Sequence, residues 1–268
     1  MVSAVLFITF FVLLVLNVPI SVCLGLSSAA AILYSGTSLT IVATNIYSGI
    51  SKFLLLAIPF FVLSGNIMAK AGISTRLIRF VDTCVGHRKG GIANVCIIVA
   101  CFFGAISGSG PATVAALGAV LIPAMIERGG FSAAFSTALM ATSSSIAIVI
   151  PPSIAFVVYA SITGVSIGDM FMAGIIPGIL MGLALVVVVM LEVRRNHVVP
   201  SNVEKASAKE RWNAFKDAFW GFLMPVIILG GIYSGLFTPT EAAAIAVFYG
   251  IIVSAFVYRN MGWKDFIH

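Results

Sequence analysis

Long apolar stretches alternate along this chain with short charged segments, and one of the stretches is interrupted by small polar residues at its centre. No charge lies between Gly91 and Ile126, yet the middle of that stretch reads GAISGSGPAT from Gly104 to Thr113. Each half would form a helix of roughly 25 Å, which is shorter than the ~30 Å hydrocarbon core of a membrane. The pattern therefore predicts a re-entrant helical hairpin over residues 91–126.

The residues at the centre of this stretch suit a tight turn. Pro111 fits the first turn of a returning helix, where its missing N–H costs nothing, and Gly108 and Gly110 permit the positive φ of a sharp tip. The alternative is that Gly104 and Gly108 form a small-xxx-small packing face within an ordinary helix pair.

A second uncharged stretch, from Phe131 to Gly168, is interrupted by Ile150-Pro151-Pro152-Ser153. Consecutive prolines remove two N–H donors and disfavour helical backbone at the preceding residue, so we expect a helix to stop near Ile150 and restart near Ser153. Backbone groups freed at membrane depth persist only where they are buried in protein or line a cavity, and transporters bind ions at such breaks. Two adjacent breaks, the hairpin and a broken helix over 131–163, therefore indicate a binding site.

The remaining apolar stretches predict further spans, giving about seven in all with the broken helix. We divide the first 34 residues at Asn17-Val18-Pro19, because one continuous helix would be roughly 50 Å long, although one span over residues 1–36 remains the alternative. The other predicted spans are 2–16, 18–34, 53–69, 170–191, 219–236 and 242–258.

Composition indicates an integral membrane protein. The 268 residues are 60% hydrophobic and 9% charged, and the mean hydropathy is +1.15, values that exclude a soluble enzyme. The net charge of +6 does not indicate nucleic acid, because the basic residues lie in short segments between apolar runs. With the N-terminus outside, fourteen of the fifteen Lys and Arg residues lie inside, all but Lys52, which satisfies the positive-inside rule.

Two segments have the pattern of helices that lie along the membrane surface. In residues 73–85 an apolar face alternates with a charged face at helical spacing. Ser207 and Glu210 form a capping-box pattern, and Trp212, Phe215 and Phe219 follow as an apolar stripe. We interpret both as structural braces, with a regulatory role as the alternative, and expect their basic residues to favour anionic membrane lipid. The face of the first segment carries Ile73, Leu77, Val81 and Cys84 opposite Arg76, Arg79 and Asp82.

No catalytic chemistry is visible in the sequence. The apolar stretches contain no nucleophile with a base and an orienting group, and the four cysteines have no metal-binding or redox spacing. We therefore expect neither an enzyme nor a bound cofactor or metal centre.

Several runs of residues resemble the large membrane subunit of tripartite ATP-independent periplasmic (TRAP) transporters, and the resemblance covers nearly the whole chain. The strongest are FFGAISGSGPATVAALG from Phe102, IPAM from Ile122 and IPPSI from Ile150. Others are IPFF from Ile58, SGNIM from Ser64 and FTPTEAA from Phe237.

This resemblance implies an all-α, sodium-coupled importer of organic acids in the bacterial inner membrane that works by an elevator motion. Its implied partners are a small membrane subunit and a periplasmic substrate-binding protein. The implied organisation is that of the first half of an inverted-repeat transporter, with the following division: scaffold spans 1–69, amphipathic arm 70–90, transport core 91–168, scaffold span 169–193, interfacial linker helix 194–218 and the opening spans of a second repeat 219–268.

Two departures from the family pattern matter. Ala147 stands where the family often has Gly. Members of the family are also much longer and contain a second hairpin, so we expect this chain alone to be poorly stable and inactive unless a second-repeat polypeptide completes the site.

The resemblance and the physics of helix ends together suggest the ligands. Sodium is assigned to hydroxyls and carbonyls at the negative ends of the first half-helices, and the substrate carboxylate to the positive ends of the restarting helices. The sodium set is Ser107, Ser109, Gly110, Ala147 and Ile150, and the substrate set is Ser109, Pro111, Thr113, Pro152 and Ser153.

Two alternatives to solute import stay open. The chain is either a transporter subunit or a non-transporting fragment or assembly partner that needs a separately encoded second half; a passive channel is disfavoured because nothing predicts a continuous polar pore. Dicarboxylates, sialic acids and keto acids are all compatible substrates.

Overall fold

The computed structural model describes residues 1–196 and 205–259, and within these ranges the regular structure is entirely helical. A 3₁₀ turn at Phe53–Leu56 precedes the fourth α-helix, and a π-helical turn at Val253–Tyr258 follows the last one. The α-helices are α1 Val2–Val15, α2 Ile20–Tyr34, α3 Thr40–Ile50, α4 Ala57–Lys70, α5 Ile73–Val85, α6 Gly91–Ser107, α7 Gly110–Glu127, α8 Ala133–Val149, α9 Ile154–Thr163, α10 Ile167–Arg195, α11 Ala208–Tyr233 and α12 Pro239–Ile252.

Within the described residues, five helices are long and apolar enough to cross a membrane, or six if the bent pair α8–α9 counts as one span. The prediction of about seven spans is corrected in two places. Helices α1 and α2 have 14 and 15 residues, roughly 21 to 23 Å, and so fall short of a bilayer core. Conversely, α7 was predicted as half of a hairpin, but its 18 residues are long and apolar enough to cross a membrane.

Residues 1–52 form a compact unit of their own. Here α1 packs on α2, and the chain reverses at Asn17, which has a φ of 60°. The predicted division at Asn17-Val18-Pro19 is therefore confirmed as a helix boundary. Helix α3 was not predicted, and none of its residues is buried.

The second compact unit begins at Phe53. Most of α6 is buried at its centre, in contact with α4, α5, α7, α8, α10 and α11. Helix α12 packs against α4, and α5 packs against α11. The buried hairpin helix is therefore surrounded by the other elements of this unit.

The amphipathic helix predicted over residues 73–85 is confirmed as α5, with Ile73, Leu77 and Val81 buried. On the charged face the Arg79 side chain is 69% exposed, whereas Arg76 and Asp82 are half-buried. That this helix lies along the membrane surface stays a prediction.

The predicted boundary between a linker helix and a span at Phe219 is not a break in the helix. Helix α11 runs without interruption from Ala208 to Tyr233, because neither proline nor glycine stands near residue 219 on its N-terminal side, and Pro225 is accommodated inside the helix. The capping box of Ser207 and Glu210 is confirmed, with the Ser207 N–H donating to the Glu210 carboxylate at 2.8 Å. Parts of the predicted segments 194–218 and 219–268 lie outside the described residues.

Candidate functional site

Helices α6 and α7 form an antiparallel hairpin. A Cβ added to Gly129, just after α7, would lie 2.6 Å from the Ile92 side chain at the start of α6, so the two outer ends of the pair meet. The chain reverses between Ser107 and Gly110. The helical hairpin predicted over 91–126 is therefore present, while its entry and exit on one side of the membrane stays a prediction.

The tip of the hairpin is made by one left-handed residue. Gly108 has a φ of +61°, as expected. The expectation for Gly110 was wrong, because this glycine has no positive φ and is the first residue of α7. Its small size serves packing instead, since an added Cβ would lie 3.2 Å from the Ser144 carbonyl oxygen on α8. Pro111 occupies the first turn of α7 as predicted.

The hairpin tip docks directly on the break between α8 and α9. Helix α8 ends at Val149 and α9 begins at Ile154, as the two prolines predicted, and the Pro151–Pro152 peptide is cis. The N–H of Ile154 donates to the Gly108 carbonyl oxygen at 3.2 Å. A Cβ on Gly108 would lie 2.7 Å from the Pro152 carbonyl oxygen. The two breaks seen in the sequence therefore meet in space.

Helices α6 and α8 cross closely next to this contact. A Cβ on Gly104 of α6 would lie 2.6 Å from both the Cα and the Cβ of Ala147 on α8. Gly104 thus has the packing role of the alternative interpretation, whereas Gly108 makes the turn. Because the partner of Gly104 already carries a methyl group, the glycine of this pair has to be on α6.

Three hydroxyl-bearing residues form one network at the tip. The Ser107 and Thr113 hydroxyl oxygens are 3.2 Å apart, and the Thr113 hydroxyl donates to the Ser109 carbonyl at 2.8 Å. The Ser109 hydroxyl caps α7 by accepting the Ala112 N–H at 3.4 Å. Ser107 and Thr113 are buried, at 2% and 0% exposure. The network concentrates oxygen atoms where α6 ends and α7 begins.

A cavity of about 270 Å³ opens beside this network, between the hairpin and α4. Its described lining carries no ionisable side chain, and its polar groups come from Asn66, Ser107 and Ser109. Helix α4 can approach the end of α6 this closely because residue 65 is a glycine. A Cβ added there would lie only 3.0 Å from the Ser107 Cα. The full lining is Val62, Gly65, Asn66, Ala69, Phe103, Ser107, Ser109, Ala112, Ala115 and Ala116.

Sequence reasoning missed the contribution of α4 to this cavity. The run Ser64-Gly65-Asn66 carried a signal, since a glycine next to an amide side chain inside an apolar stretch is unusual. A carboxamide offers both a carbonyl acceptor and N–H donors, so Asn66 can contact either a cation or an anion.

Two of the nine residues assigned to ligands, Ser107 and Ser109, line the cavity. Gly110, Pro111 and Thr113 follow in the first turn of α7, where Pro111 is exposed and Thr113 is fully buried. Three more, Ala147, Pro152 and Ser153, are buried behind the tip and do not line the cavity.

The ninth assigned residue, Ile150, does not line the cavity either. Its side chain faces α10, where a Cβ on Gly178 would lie 2.4 Å from the Ile150 Cγ1. Ligand roles for all of these residues stay predictions.

The polar groups of the α8–α9 break are largely used within the protein. The Ser153 hydroxyl donates to the Ile148 carbonyl and accepts the Phe156 N–H at 3.4 Å. The Val149 carbonyl faces α10, where a Cβ on Gly174 would lie 2.3 Å from its oxygen. The positive end of α9 is occupied by the Gly108 carbonyl. In this arrangement the second break therefore supports the tip.

Comparison with protein families identifies this architecture. Residues 7–268 match the family model described as the DctM component of the tripartite ATP-independent periplasmic transporter. The chain belongs to this family. It is a family of membrane transporter components rather than of enzymes, as the sequence indicated, and the chain is accordingly a multi-pass membrane protein.

Curated relatives agree with the family model. The chain is 46% identical to the C4-dicarboxylate TRAP transporter large permease protein DctM of Pseudomonas aeruginosa, over 89% of this chain and 55% of the relative. It is 41% identical to the protein of the same name of Vibrio cholerae, over 98% of this chain and 58% of the relative. It is 44% identical to the isethionate TRAP transporter permease protein DctMQ of Oleidesulfovibrio alaskensis, over 98% of this chain and 41% of the relative. The chain thus spans between two fifths and three fifths of the length of these relatives.

Proposed function

We propose that this chain contributes to sodium-coupled import of a small organic anion across the bacterial inner membrane, as part of a TRAP transporter large subunit. Its partners in that role are a small membrane subunit and a periplasmic substrate-binding protein, as the tripartite character of the family implies. Residues 91–168 are the moving transport core of this proposal, and α4 belongs to the scaffold.

The docking of the hairpin tip on the α8–α9 break is the observation that supports this proposal most. It places the Ser107 and Ser109 oxygens at the negative end of α6, next to a cavity that contains no ionisable group among its described lining residues. Neutral oxygens in such a site suit a hard cation that exchanges its water for protein ligands. Proton coupling is disfavoured, because no acidic side chain lies in residues 91–126 or 131–168 to carry the proton.

The substrate proposed first is a C4-dicarboxylate, which the Pseudomonas and Vibrio relatives carry in their names. Isethionate, which appears in the name of the Oleidesulfovibrio relative, is a sulfonate. Relatives with similar sequence identity to this chain are therefore named after substrates with different anionic groups. Both kinds of substrate are small anions. The Gly110 N–H, at the positive end of α7, has no partner among the described residues and is a donor suited to such an anion.

Uptake into reconstituted vesicles tests the proposal. The vesicles contain this chain, the small subunit and, outside, the binding protein loaded with radiolabelled succinate, with and without a polypeptide that supplies the remaining length of the relatives. We expect uptake under an inward sodium gradient when that polypeptide is present, and none without it or when potassium replaces sodium. Equal uptake in potassium would contradict sodium coupling, and uptake of isethionate but not succinate would change the substrate class.

A further inference from the structure

A second cavity lies at the other end of the same unit, where α11 begins beside α5. Its volume is about 530 Å³, and it combines cationic and aromatic side chains. It shares no lining residue with the cavity at the hairpin tip. The lining residues are Phe80, Lys205, Ala206, Ala208, Arg211, Trp212 and Phe215.

Arg211 is the unusual member of this lining. Its Nε and Nη2 atoms are shielded from solvent and have no hydrogen-bond partner among the described residues. Burying unpaired donors of a charged group costs free energy, so a ligand that accepts from them is favoured. Nε and Nη2 lie on one edge of the guanidinium, and that edge donates two parallel hydrogen bonds to two oxygens of a phosphate or carboxylate.

Among the residues that the structure describes, the acidic side chains near the cavity already have partners. Glu210, next to Arg211 in sequence, accepts the Ser207 N–H at 2.8 Å as part of the capping box. Asp217 lies 3.6 Å from Arg79 of α5. Positive charge remains in excess around the cavity, from Lys205 in its lining and from Lys216, whose Nζ lies 5.5 Å from the centre of the Trp212 ring.

The aromatic residues in the wall of the cavity favour a phospholipid over a free phosphate ion. Phe80, Phe215 and Trp212 give the cavity an aromatic side, and Trp212 stacks on Phe215 with ring centroids 5.6 Å apart. A free phosphate ion gains nothing from this side, whereas a phospholipid places its glycerol and first acyl carbons there. Tryptophan beside basic residues at the start of a membrane-length helix is also typical of the membrane interface.

We propose that this cavity binds the headgroup of an anionic phospholipid, with the Arg211 side chain turned so that its Nε and Nη2 edge contacts the phosphate, and with Lys205 as a second cation. The bound lipid would then fix the start of α11 against α5, because the site takes residues from both helices. This inference is independent of the proposed transport function and of the cavity at the hairpin tip.

Native mass spectrometry of the purified chain tests the site, with phosphatidylglycerol and phosphatidylcholine offered in equal amounts. We expect retention of phosphatidylglycerol over phosphatidylcholine, and about tenfold weaker retention in Arg211→Gln, the effect of losing charge-assisted hydrogen bonds. Arg211→Lys keeps the charge and the aliphatic stem and loses the two-pronged edge, so it should also weaken retention while preserving the fold. Lys209→Gln removes a neighbouring charge that does not line the cavity, and should retain lipid like the unmodified chain.

Three results would overturn the proposal: equal retention of the two lipids, unchanged retention in both Arg211 variants, or an equal loss in Lys209→Gln, which would indicate attraction without a site. Millimolar inorganic phosphate forms a further arm. We expect it to leave the lipid bound, and displacement of the lipid by phosphate alone would assign the cavity to a soluble anion.

Discussion

The hairpin tip and the α8–α9 break both interrupt an apolar helix, but they use the freed polar groups differently. At the tip the chain reverses completely, and Ser107 and Ser109 direct hydroxyl-bearing side chains to a cavity. At the other break the helix axis bends by 42°. There Ser153 is fully buried, and its hydroxyl is engaged by Ile148 and Phe156 of its own segment.

This difference separates a surface that offers ligands from a support that holds it. Polar groups that are already paired inside the protein have to lose a partner before they contact a ligand, which costs free energy. The Ser107 and Ser109 hydroxyls are also paired within the tip, but they line the cavity, so a ligand there can reach them without opening the contact between the two breaks. The tip is therefore where ion specificity is expected to reside, and the α8–α9 break is expected to determine whether the tip is held in place.

The contact between the two breaks should be the most sensitive point of this arrangement. We expect Gly108→Val to destabilise the protein by about 2–3 kcal/mol and to abolish uptake by the complete transporter, because the new side chain meets the Pro152 carbonyl and the residue has a positive φ. Thermal unfolding in detergent and vesicle uptake measure the two effects. The matched control is Gly118→Ala in α7, where the nearest atom to the added Cβ is 3.5 Å away.

A Gly108→Val protein with normal unfolding and normal uptake would show that the docking seen here is not needed. The comparison between the breaks would then lose its basis.

The support behind the α8–α9 break should give the next largest effect. We expect Gly174→Ala to destabilise the protein by about 1–2 kcal/mol, since the added methyl group meets the backbone oxygen of Val149, which cannot move without moving the break. Gly182→Ala, two turns further along α10, is the control, because its nearest neighbour is the Cys101 sulfur at 3.6 Å. Equal unfolding midpoints for the two variants would show that α10 does not hold the break.

Much of this arrangement was predictable from local rules. Proline chemistry placed the end of α8 and the start of α9, and helix periodicity gave the bounds of α5. The short apolar halves and the glycine- and proline-containing centre between them predicted the hairpin. What local rules lack is the pairing of segments distant in sequence. The position of Asn66 beside Ser107 depends on α4 packing against α6, and the burial of Pro152 and Ser153 depends on the tip docking over them.

Two local features that the sequence did not reveal have a similar cause. The predicted division between linker helix and span at residue 219 follows a change from mixed to apolar composition, and α11 continues through that change because no residue there stops a helix. Gly110 was assigned a positive φ from its residue type, whereas the need for a small residue there comes from the Ser144 carbonyl of a different helix.

Serine substitutions at the two breaks should have smaller effects than the glycine substitutions. We expect Ser107→Ala to raise the sodium concentration for half-maximal uptake several-fold with little change in unfolding, because it removes a proposed ligand oxygen. Ser109→Ala should do the same and also lose about 1 kcal/mol of capping. Ser153→Ala should lose a similar capping energy and leave the sodium dependence unchanged. If Ser153→Ala shifted the sodium dependence as much as Ser107→Ala, the division into ligand surface and support would be wrong.

The smallest effect is expected at the base of the hairpin, far along α7 from its tip. Arg128, just after α7, donates to the Asp82 carboxylate of α5 at 3.1 Å, and the two side chains are 48% and 23% exposed. Solvent-accessible ion pairs contribute about 0–1 kcal/mol, so Arg128→Gln should lower the free energy of unfolding by no more than that and leave the sodium dependence unchanged. A double-mutant cycle with Asp82→Asn isolates the pair, with an expected coupling energy of about 0.2–1 kcal/mol that decreases as salt is added. A loss in Arg128→Gln as large as that in Gly108→Val would mean that the hairpin is held at its base as firmly as at its tip. The contact between the two breaks would then no longer be the feature that positions the site.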